Sequence, residues 1–235
     1  KVTLGTGTFF NINTASKCHA SILGLYPQIA YHIRDVGIVF DVEGYSSDTA
    51  NVVLWGMSIG LYEKPEDTSD MAAAVDDTDG VYFVNGFNGL SAPINDFNAA
   101  AGFIGVKMST TKNHLVRALM ESIVFRVAQL LAATTKETSY VVKMLRADGG
   151  VSRNDFVLQT LADLCEIRVE RSDPESTSLG AAYLSAFNMK IKSLQELRGI
   201  YKPVKVFEAR RDKHEAIKMS FKNWERAVER FKAWY

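Results

Sequence analysis

The sequence has little cysteine and little histidine, and both shortages exclude kinds of site. Its two cysteines, Cys18 and Cys165, lie far apart in the 235 residues and form no Cys-x-x-Cys pair. This argues against a disulfide framework and a zinc site, and favours a reducing compartment, which we take to be the cytoplasm. The four histidines are scattered and form no His-Glu-x-x-His motif. We therefore expect no metal site built by this chain.

Net charge and long apolar runs are also lacking. Lys plus Arg equals Asp plus Glu, 27 against 27, so no net field attracts nucleic acid or an anionic membrane surface. No apolar run approaches the ~20 residues of a membrane span, and no signal peptide is recognisable. We therefore expect neither nucleic acid nor a membrane as partner. The chain opens at Lys1 directly inside a predicted strand, so we expect it to be a piece of a larger protein.

One glycine pair is more informative than any other feature of the sequence. A predicted apolar strand carrying Val141, Val142 and Leu145 runs into Gly149-Gly150, and a helix opens directly behind. Adjacent glycines let the backbone turn sharply and leave no Cβ between the chain and a ligand. Such an arrangement favours nucleotide or phosphate binding, with an ordinary turn as the alternative.

The start of that helix carries its own signals. Ser152 is a good N-cap, and Asp155 stands in the first turn, where negative charge suits the helix dipole. The apolar residues of the predicted helix are Phe156, Val157, Leu161 and Leu164.

A second glycine element, Gly5-Thr6-Gly7, joins two β-rich runs at 2–5 and 8–13. The pattern predicts a tight hairpin. Backbone N–H groups of such a turn, with the Thr6 hydroxyl, can form an anion-binding concavity for phosphate. Taken alone, the element is also typical of an ordinary hairpin.

The remaining pattern predicts an α/β fold. Further strands are predicted at 28–34, 37–43, 81–84, 103–104 and 167–169. Helices are predicted from about Ser46, after Thr110 and Thr111, around 179–184, and over 212–235 as an amphipathic tail. The stretch 62–79 is predicted to be a surface loop or short helix, 85–100 a long turn region, and 172–176 a polar loop. Hairpins first and β-α alternation later indicate a mixed sheet with helices on both faces.

Longer motifs in the second half resemble the FGGY carbohydrate kinases. Their second signature is matched by Ala101, Phe103, Gly105 and Val106, followed after seven residues by His114-Leu115 and then by Ala118-Leu119-Met120-Glu121. The resemblance extends over essentially the whole chain and includes Gly89-Leu90-x-Ala92-Pro93 and Asp148-Gly149-Gly150. Within the family it is similar to the C-terminal domain of glycerol kinases, particularly at 169–171 and 224–230.

The resemblance implies an actin/hexokinase-like, ribonuclease-H-type domain over 1–235 that clamps ATP against an N-terminal substrate domain absent from this chain. By resemblance, the ATP-binding residues are Thr6, Gly7, Ala50, Gly149, Gly150 and Asn154. Phe9 matches a phenylalanine that packs on the carbon backbone of glycerol, with an ordinary core aromatic as the alternative. The family's general base lies upstream of Lys1, so we expect no catalytic residue in this chain and no transfer by the chain alone.

The implied activity is transfer of the γ-phosphoryl group from ATP, with Mg²⁺ bound through the ATP, to a polyol hydroxyl, and a homo-oligomer is a further expectation. One alternative is a kinase of another sugar, a pentulose or hexulose. Another is a non-catalytic relative, which is favoured by Ala50 and Leu54 where the family has a glycine and a glutamine. The sequence departs from the family pattern again at 95–97 and 99–101.

Overall fold

The computed structural model describes residues 1–33, 37–173 and 176–235. The strands are β1 (Val2–Leu4), β2 (Thr8–Ala15), β3 (Tyr26–Ile33), β4 (Gly37–Ser46), β5 (Tyr82–Val84), β6 (Gly102–Ile104), β7 (Met144–Asp148), β8 (Arg168–Arg171) and β9 (Lys205–Phe207). The α-helices are α1 (Ala50–Ser58), α2 (Asp67–Ala73), α3 (Lys112–Thr138), α4 (Asp155–Cys165), α5 (Ser176–Asn188), α6 (Leu194–Ile200) and α7 (Arg211–Phe231). A short 3-10 turn spans Gly150–Arg153.

The main sheet of the described residues has seven strands in the order β3-β4-β2-β1-β7-β8-β9. The predicted hairpin is confirmed, since β1 and β2 are antiparallel neighbours. β7 lies parallel to β1 on one side and to β8 on the other, which makes the sheet mixed, as predicted. Because parallel strands end at the same sheet edge, the turns that follow β1 and β7 lie side by side.

Helices cover both faces of this sheet. The long helix α3 runs through the core, where Leu119, Ile123 and Leu130 are buried. Along β7, Leu145 is buried in the same core, whereas Arg146 faces the opposite side. There its guanidinium carbon lies 3.8 Å from the ring centre of Tyr201, directly after α6. The predicted architecture, a mixed sheet with helices on both faces, is confirmed.

The loop between β5 and β6 is held in place by hydrogen bonds to buried side chains. Arg126 of α3 is buried and donates to the carbonyl oxygens of Ser91 (3.2 Å) and Ala92 (3.0 Å). Burial lowers the pKa of Arg126 to about 10. Nearer the start of the loop, Asp48 accepts hydrogen bonds from the Asn88 side chain and backbone. The predicted long turn region is therefore a fixed part of the fold.

Several predicted boundaries are wrong. β7 starts at Met144, so Val141 and Val142 precede the strand, and α1 starts at Ala50 rather than near Ser46. The small-residue helix around 179–184 exists as part of α5 but buries none of its described residues. Parts of the predictions at 28–34 and 172–176 lie outside the described residues.

Ser152 is not an N-cap. Its hydroxyl donates to the carbonyl oxygen of Gly149 at 2.7 Å and closes the 3-10 turn instead. The residue that caps α4 is Asn154. Among the described residues, none of the helices combines the length and the apolar character that a bilayer crossing requires.

Candidate nucleotide-binding cleft

A cleft of about 370 Å³ opens where the turns after β1 and β7 meet the starts of α1, α2 and α4. Its lining residues are Leu4, Gly5, Ala50, Val53, Leu54, Pro65, Glu66, Thr68, Ser69, Gly150, Val151, Arg153 and Asn154. Three of the predicted ATP-binding residues, Ala50, Gly150 and Asn154, therefore face one space although they are far apart in sequence.

The hairpin turn presents unused donors beside this cleft. The N–H of Gly5 donates to the carbonyl oxygen of Gly7 at 3.0 Å, which closes the turn. Within the described part of the chain, the N–H groups of Thr6 and Gly7 have no protein acceptor, and the Thr6 side chain is exposed. Free amides in a glycine turn form a concavity that suits an anion such as phosphate.

Gly7 and Ala50 hold the hairpin in place. A Cβ on Gly7 would lie 2.8 Å from the carbonyl oxygen of Ser46, so only glycine lets the turn approach the end of β4 this closely. The N–H of Ala50 donates to the carbonyl oxygens of Gly5 (3.1 Å) and Thr6 (3.2 Å). The hairpin therefore satisfies the first donors of α1, and the backbone N–H of Ala50 is already engaged.

Gly149 and Gly150 have different structural roles. Gly149 has φ +88°, and a Cβ on it would lie 2.6 Å from the carbonyl carbon and oxygen of Leu4. Glycine is required here because the two glycine turns are in close contact, and not because this residue exposes its backbone to a ligand. Gly150 is exposed to the cleft, and a Cβ there would meet nothing within 4 Å. Of the two, Gly150 is the one that leaves bare backbone towards a ligand.

The side chain of Asn154 is largely engaged within the protein. Its Oδ1 accepts from the N–H of Val157 at 3.0 Å, and its Nδ2 donates to Thr68 Oγ1 at 2.9 Å and approaches Met120 Sδ at 3.6 Å. Asn154 thus ties the start of α4 to α2. What remains for a ligand is its second carbonyl lone pair and its exposed carbon surface.

The sequence reasoning missed one wall of the cleft. Residues Pro65, Glu66, Thr68 and Ser69, at the start of α2, lie across from Gly150 in the segment that was predicted only to be a surface loop or short helix. Pro65 ahead of an acidic first turn does signal a helix start. No sequence signal placed that start beside the glycine turns, because the contact is made by tertiary hydrogen bonds, from Asn154 to Thr68 and from the N–H of Phe156 to Ser69.

The titratable groups of the lining are Glu66 and Arg153, both exposed, and the guanidinium of Arg153 has no protein partner among the described residues. Just behind them, Asp155 pairs with Arg171 at 2.5 Å and with Lys205. Burial would raise the pKa of Asp155, but hydrogen bonds from Lys205 and Arg171 outweigh it and hold that pKa below its ordinary value. Asp155 therefore stands at the start of α4, as predicted, and its carboxylate is paired with two cations, which the sequence did not indicate.

The carboxylate of Asp148 and the aromatic ring of Phe9 lie outside the cleft lining. Asp148 ends β7 with its Oδ2 at 3.3 Å from Lys1 Nζ. Phe9 lies on β2 opposite Tyr45, with ring centres 5.1 Å apart. Its predicted contact with a polyol stays a prediction. Among the described residues, no group of three or more His, Cys, Asp or Glu side chains could hold a metal ion.

The family model for the FGGY carbohydrate kinases, C-terminal domain, matches residues 1–189. "Glycerol kinase 5" of Danio rerio is 40% identical over 242 residues and covers 100% of this chain and 46% of its own length. "Glycerol kinase" of Pseudothermotoga lettingae is 36% identical over 237 residues, covering 100% of this chain and 47% of its own. The chain therefore spans about half the length of the curated relatives it matches.

Solved structures agree with this assignment. Plasmodium falciparum glycerol kinase, solved with ADP, superposes with a TM-score of 0.91 at 32% identity and covers 98% of this chain and 46% of its own. The xylulose kinase of Lactobacillus acidophilus, at 20% identity and a TM-score of 0.85 over 97% of this chain and 46% of its own, shows the shared fold. This chain belongs to the FGGY family of carbohydrate kinases and corresponds to the family's C-terminal domain.

Proposed function

We propose that this chain is the nucleotide-binding domain of an ATP-dependent kinase that phosphorylates a hydroxyl group of glycerol or a similar polyol. The observation that carries the proposal is the contact between the two glycine turns. It brings the hairpin turn, where the N–H groups of Thr6 and Gly7 are free, next to the cleft that Gly5 and Gly150 line.

The cleft fits the needs of phosphoryl transfer, which relies on positioning and on stabilising charge around the transferring group. The hairpin supplies amide donors and the Thr6 hydroxyl to the phosphates. The bare backbone at Gly150 lets the nucleoside lie against the start of α4. Mg²⁺ would arrive bound to the ATP phosphates, where it neutralises charge, since the cleft lining offers only the Glu66 carboxylate.

The relatives support both the reaction and its division between domains. These relatives are glycerol kinases, and one of them was solved with ADP. Because they are about twice as long as this chain, we assign the acceptor pocket and the general base to an N-terminal domain that packs against the cleft. A homo-oligomer and a cytoplasmic location remain predictions of this assignment.

Isothermal titration of the full-length protein with a non-hydrolysable ATP analogue tests the proposal. Gly150→Asp adds a bulky anion where phosphates or the nucleoside would lie, so we expect binding to be lost. Gly199→Asp is the matched control, because a Cβ there also meets nothing within 4 Å and the residue lies in α6, away from the cleft. No detectable binding by the wild type, or equal binding by Gly150→Asp, contradicts the proposal.

Two other functions are open to direct tests. For a kinase of a pentulose or hexulose, a coupled assay over a panel of polyols and ketoses identifies the acceptor. The alternative of a non-catalytic relative, which Ala50 and Leu54 favour, is tested by the sequence of the residues upstream of Lys1. Absence of the aspartate that serves the family as general base would make the protein a non-catalytic member.

A further inference from the structure

Helix α5 combines an uncharged sequence with an exposed position. Its 13 residues, Ser176–Asn188, include no Asp, Glu, Lys or Arg. A helix on a protein surface carries polar and charged side chains on its outer face, whereas a helix without them is normally buried. Yet none of the residues of α5 is buried, although every other α-helix in the described part of the chain buries at least one residue. α5 therefore has the composition of a buried helix in an exposed position.

The exposed face of α5 consists of small and apolar side chains. Ala181 and Ala182 are exposed in the middle of the helix, and Leu179 and Leu184, which flank them, are 37% and 46% exposed. Ile191, shortly after the helix, is 63% exposed. Exposed apolar side chains gathered on one element mark an interaction surface, and small residues between them let a partner approach closely.

The sheet beneath α5 does not supply the missing contacts. A cavity of about 410 Å³ is lined by the first half of α5, including Tyr183, and by Arg146 and Asp148 of β7. A second cavity, of about 920 Å³, is lined by the second half of α5, including Phe187, and by Ile33 at the end of β3. α5 thus extends across the sheet from β7 to β3 without packing closely on it.

A buried carboxylate oxygen in the first cavity lacks a donor. Asp148 is 4% exposed, and its Oδ2 pairs with Lys1 Nζ. Within the part of the chain that the structure describes, Asp148 Oδ1 accepts no hydrogen bond. Leaving a buried acceptor without a donor is costly. The region around α5 therefore offers a polar group, in addition to its apolar face, that a partner with a donor would satisfy.

The position of Lys1 indicates which partner covers this region. Lys1 lines the same cavity as Leu179, Gly180 and Tyr183 of α5. The curated relatives are about twice as long as this chain, and we have assigned their additional length to an N-terminal domain. The chain of that domain reaches this one at Lys1, so the domain is tethered beside α5. A tether of this kind gives the partner a high effective concentration at the adjoining surface.

We propose that the exposed face of α5 is the surface on which the N-terminal domain of the full-length protein packs. The inference rests on the proposed function, because that function requires an N-terminal domain. Asp148 directly precedes Gly149, so a domain that covers the start of α5 also lies next to the nucleotide-binding cleft. The face is defined by Leu179, Ala181, Ala182 and Leu184.

Cysteine labelling of the full-length protein tests the proposal. Cys18→Ser removes the exposed native thiol, and Cys165 reacts slowly because burial raises its pKa to about 12. In this background, Ala182→Cys places a thiol on the face of α5, and the matched control Ala216→Cys places one on α7. Both alanines are exposed in α-helices, so neither change disturbs a core. Labelling by a charged thiol reagent is followed at each site by peptide mass spectrometry.

We expect the native protein to be labelled at least about tenfold more slowly in Ala182→Cys than in Ala216→Cys, and both variants to be labelled equally fast after unfolding. Equal rates in the native protein overturn this inference and leave the proposed function standing, because nucleotide binding plays no part in the measurement. Protection of Ala182→Cys that disappears on dilution to the monomer shows that a second copy covers the face, which also overturns the inference. Protection in the monomer, together with failure of the ATP analogue to bind, supports the inference and contradicts the proposed function alone.

Discussion

Gly149 lies directly against Leu4, so that a Cβ on Gly149 would be 2.6 Å from both the carbonyl carbon and the carbonyl oxygen of Leu4. Leu4 ends β1 and is followed by the hairpin, while Gly149 follows β7. This close backbone contact joins the two glycine turns. The cleft between them depends on the absence of one methyl group.

Gly149→Ala should therefore destabilise the fold strongly. The change combines a left-handed φ of +88° with a clash against backbone that cannot move aside, and we expect a loss above about 2 kcal/mol. Gly150→Ala is the matched control, because its Cβ would enter open space, and we expect it to stay within about 1 kcal/mol of the wild type. Chemical denaturation measures both. Equal losses of unfolding free energy for the two variants would show that the contact with Leu4 is not what excludes a side chain at Gly149.

The sequence predicted the sheet class, the hairpin and the turn after β7, because these depend on local glycine placement and apolar periodicity. The resemblance also implies that the two glycine elements bind one nucleotide, which stays a prediction. The resemblance supplied Asn154 as a site residue, but not its role as the cap of α4, which local pattern assigned to Ser152. The wall formed by α2 was not predictable, since it depends on tertiary hydrogen bonds from Asn154 to Thr68 and from the N–H of Phe156 to Ser69. Helix α6 and strand β9 were missed because both are short.

Two substitutions separate the capping role of Asn154 from its link to Thr68. Asn154→Ala removes the cap of α4 and the link to Thr68, and we expect a loss of about 1–2 kcal/mol with weaker nucleotide binding. Asn154→Asp keeps the capping acceptor for Val157 but loses the donor to Thr68. We expect it to recover most of the stability but not the affinity for an ATP analogue, since α2 then loses its bond to Asn154 and keeps the one from the N–H of Phe156 to Ser69. Full affinity in Asn154→Asp would show that the link to Thr68 does not shape the cleft.

The buried ion pair of Arg117 and Glu121 should give a pH-dependent stability effect. Arg117 Nε lies 2.8 Å from Glu121 Oε1, and burial raises the pKa of Glu121 although Arg117 and Ser220 oppose the shift. Arg117→Met leaves the carboxylate without its cation, and we expect a loss of about 3–5 kcal/mol.

The sign of that pH dependence follows from the raised pKa. A raised folded-state pKa stabilises the fold at low pH, and this stabilisation is lost as the pH rises through it. Removing Arg117 raises the pKa further, so the deficit of Arg117→Met should grow from acid towards neutral pH. Adding Glu121→Gln should recover part of the stability and flatten the dependence. A deficit that is constant with pH in denaturation experiments would contradict this account.

The contribution of Asp155 to stability should have the opposite pH dependence. Its pKa is held below the ordinary value of 3.8, so its contribution to stability is present at neutral pH and is lost as the pH falls through the lowered pKa. Asp155→Asn should be less stable than the wild type at neutral pH, by less than about 1 kcal/mol per pair because the carboxylate is half exposed. The two proteins should converge in acid. Asp212→Asn, an exposed carboxylate in the first turn of α7, is the control and should show a smaller difference.

The isolated chain, residues 1–235, should not transfer phosphate. Among the described residues that line the cleft, the titratable groups are Glu66 and Arg153, and both are exposed at its wall, where neither is held as a base beside an acceptor hydroxyl. Without a positioned base and a second domain to exclude water, the preorganisation that this chemistry relies on is missing. We expect the isolated chain to fold, to bind ATP weakly at best and to show no glycerol-dependent ADP release in a coupled assay. The full-length protein in the same assay is the positive control. ADP release by the isolated chain that depends on glycerol and disappears in Thr6→Ala would show that the hairpin and cleft suffice for catalysis.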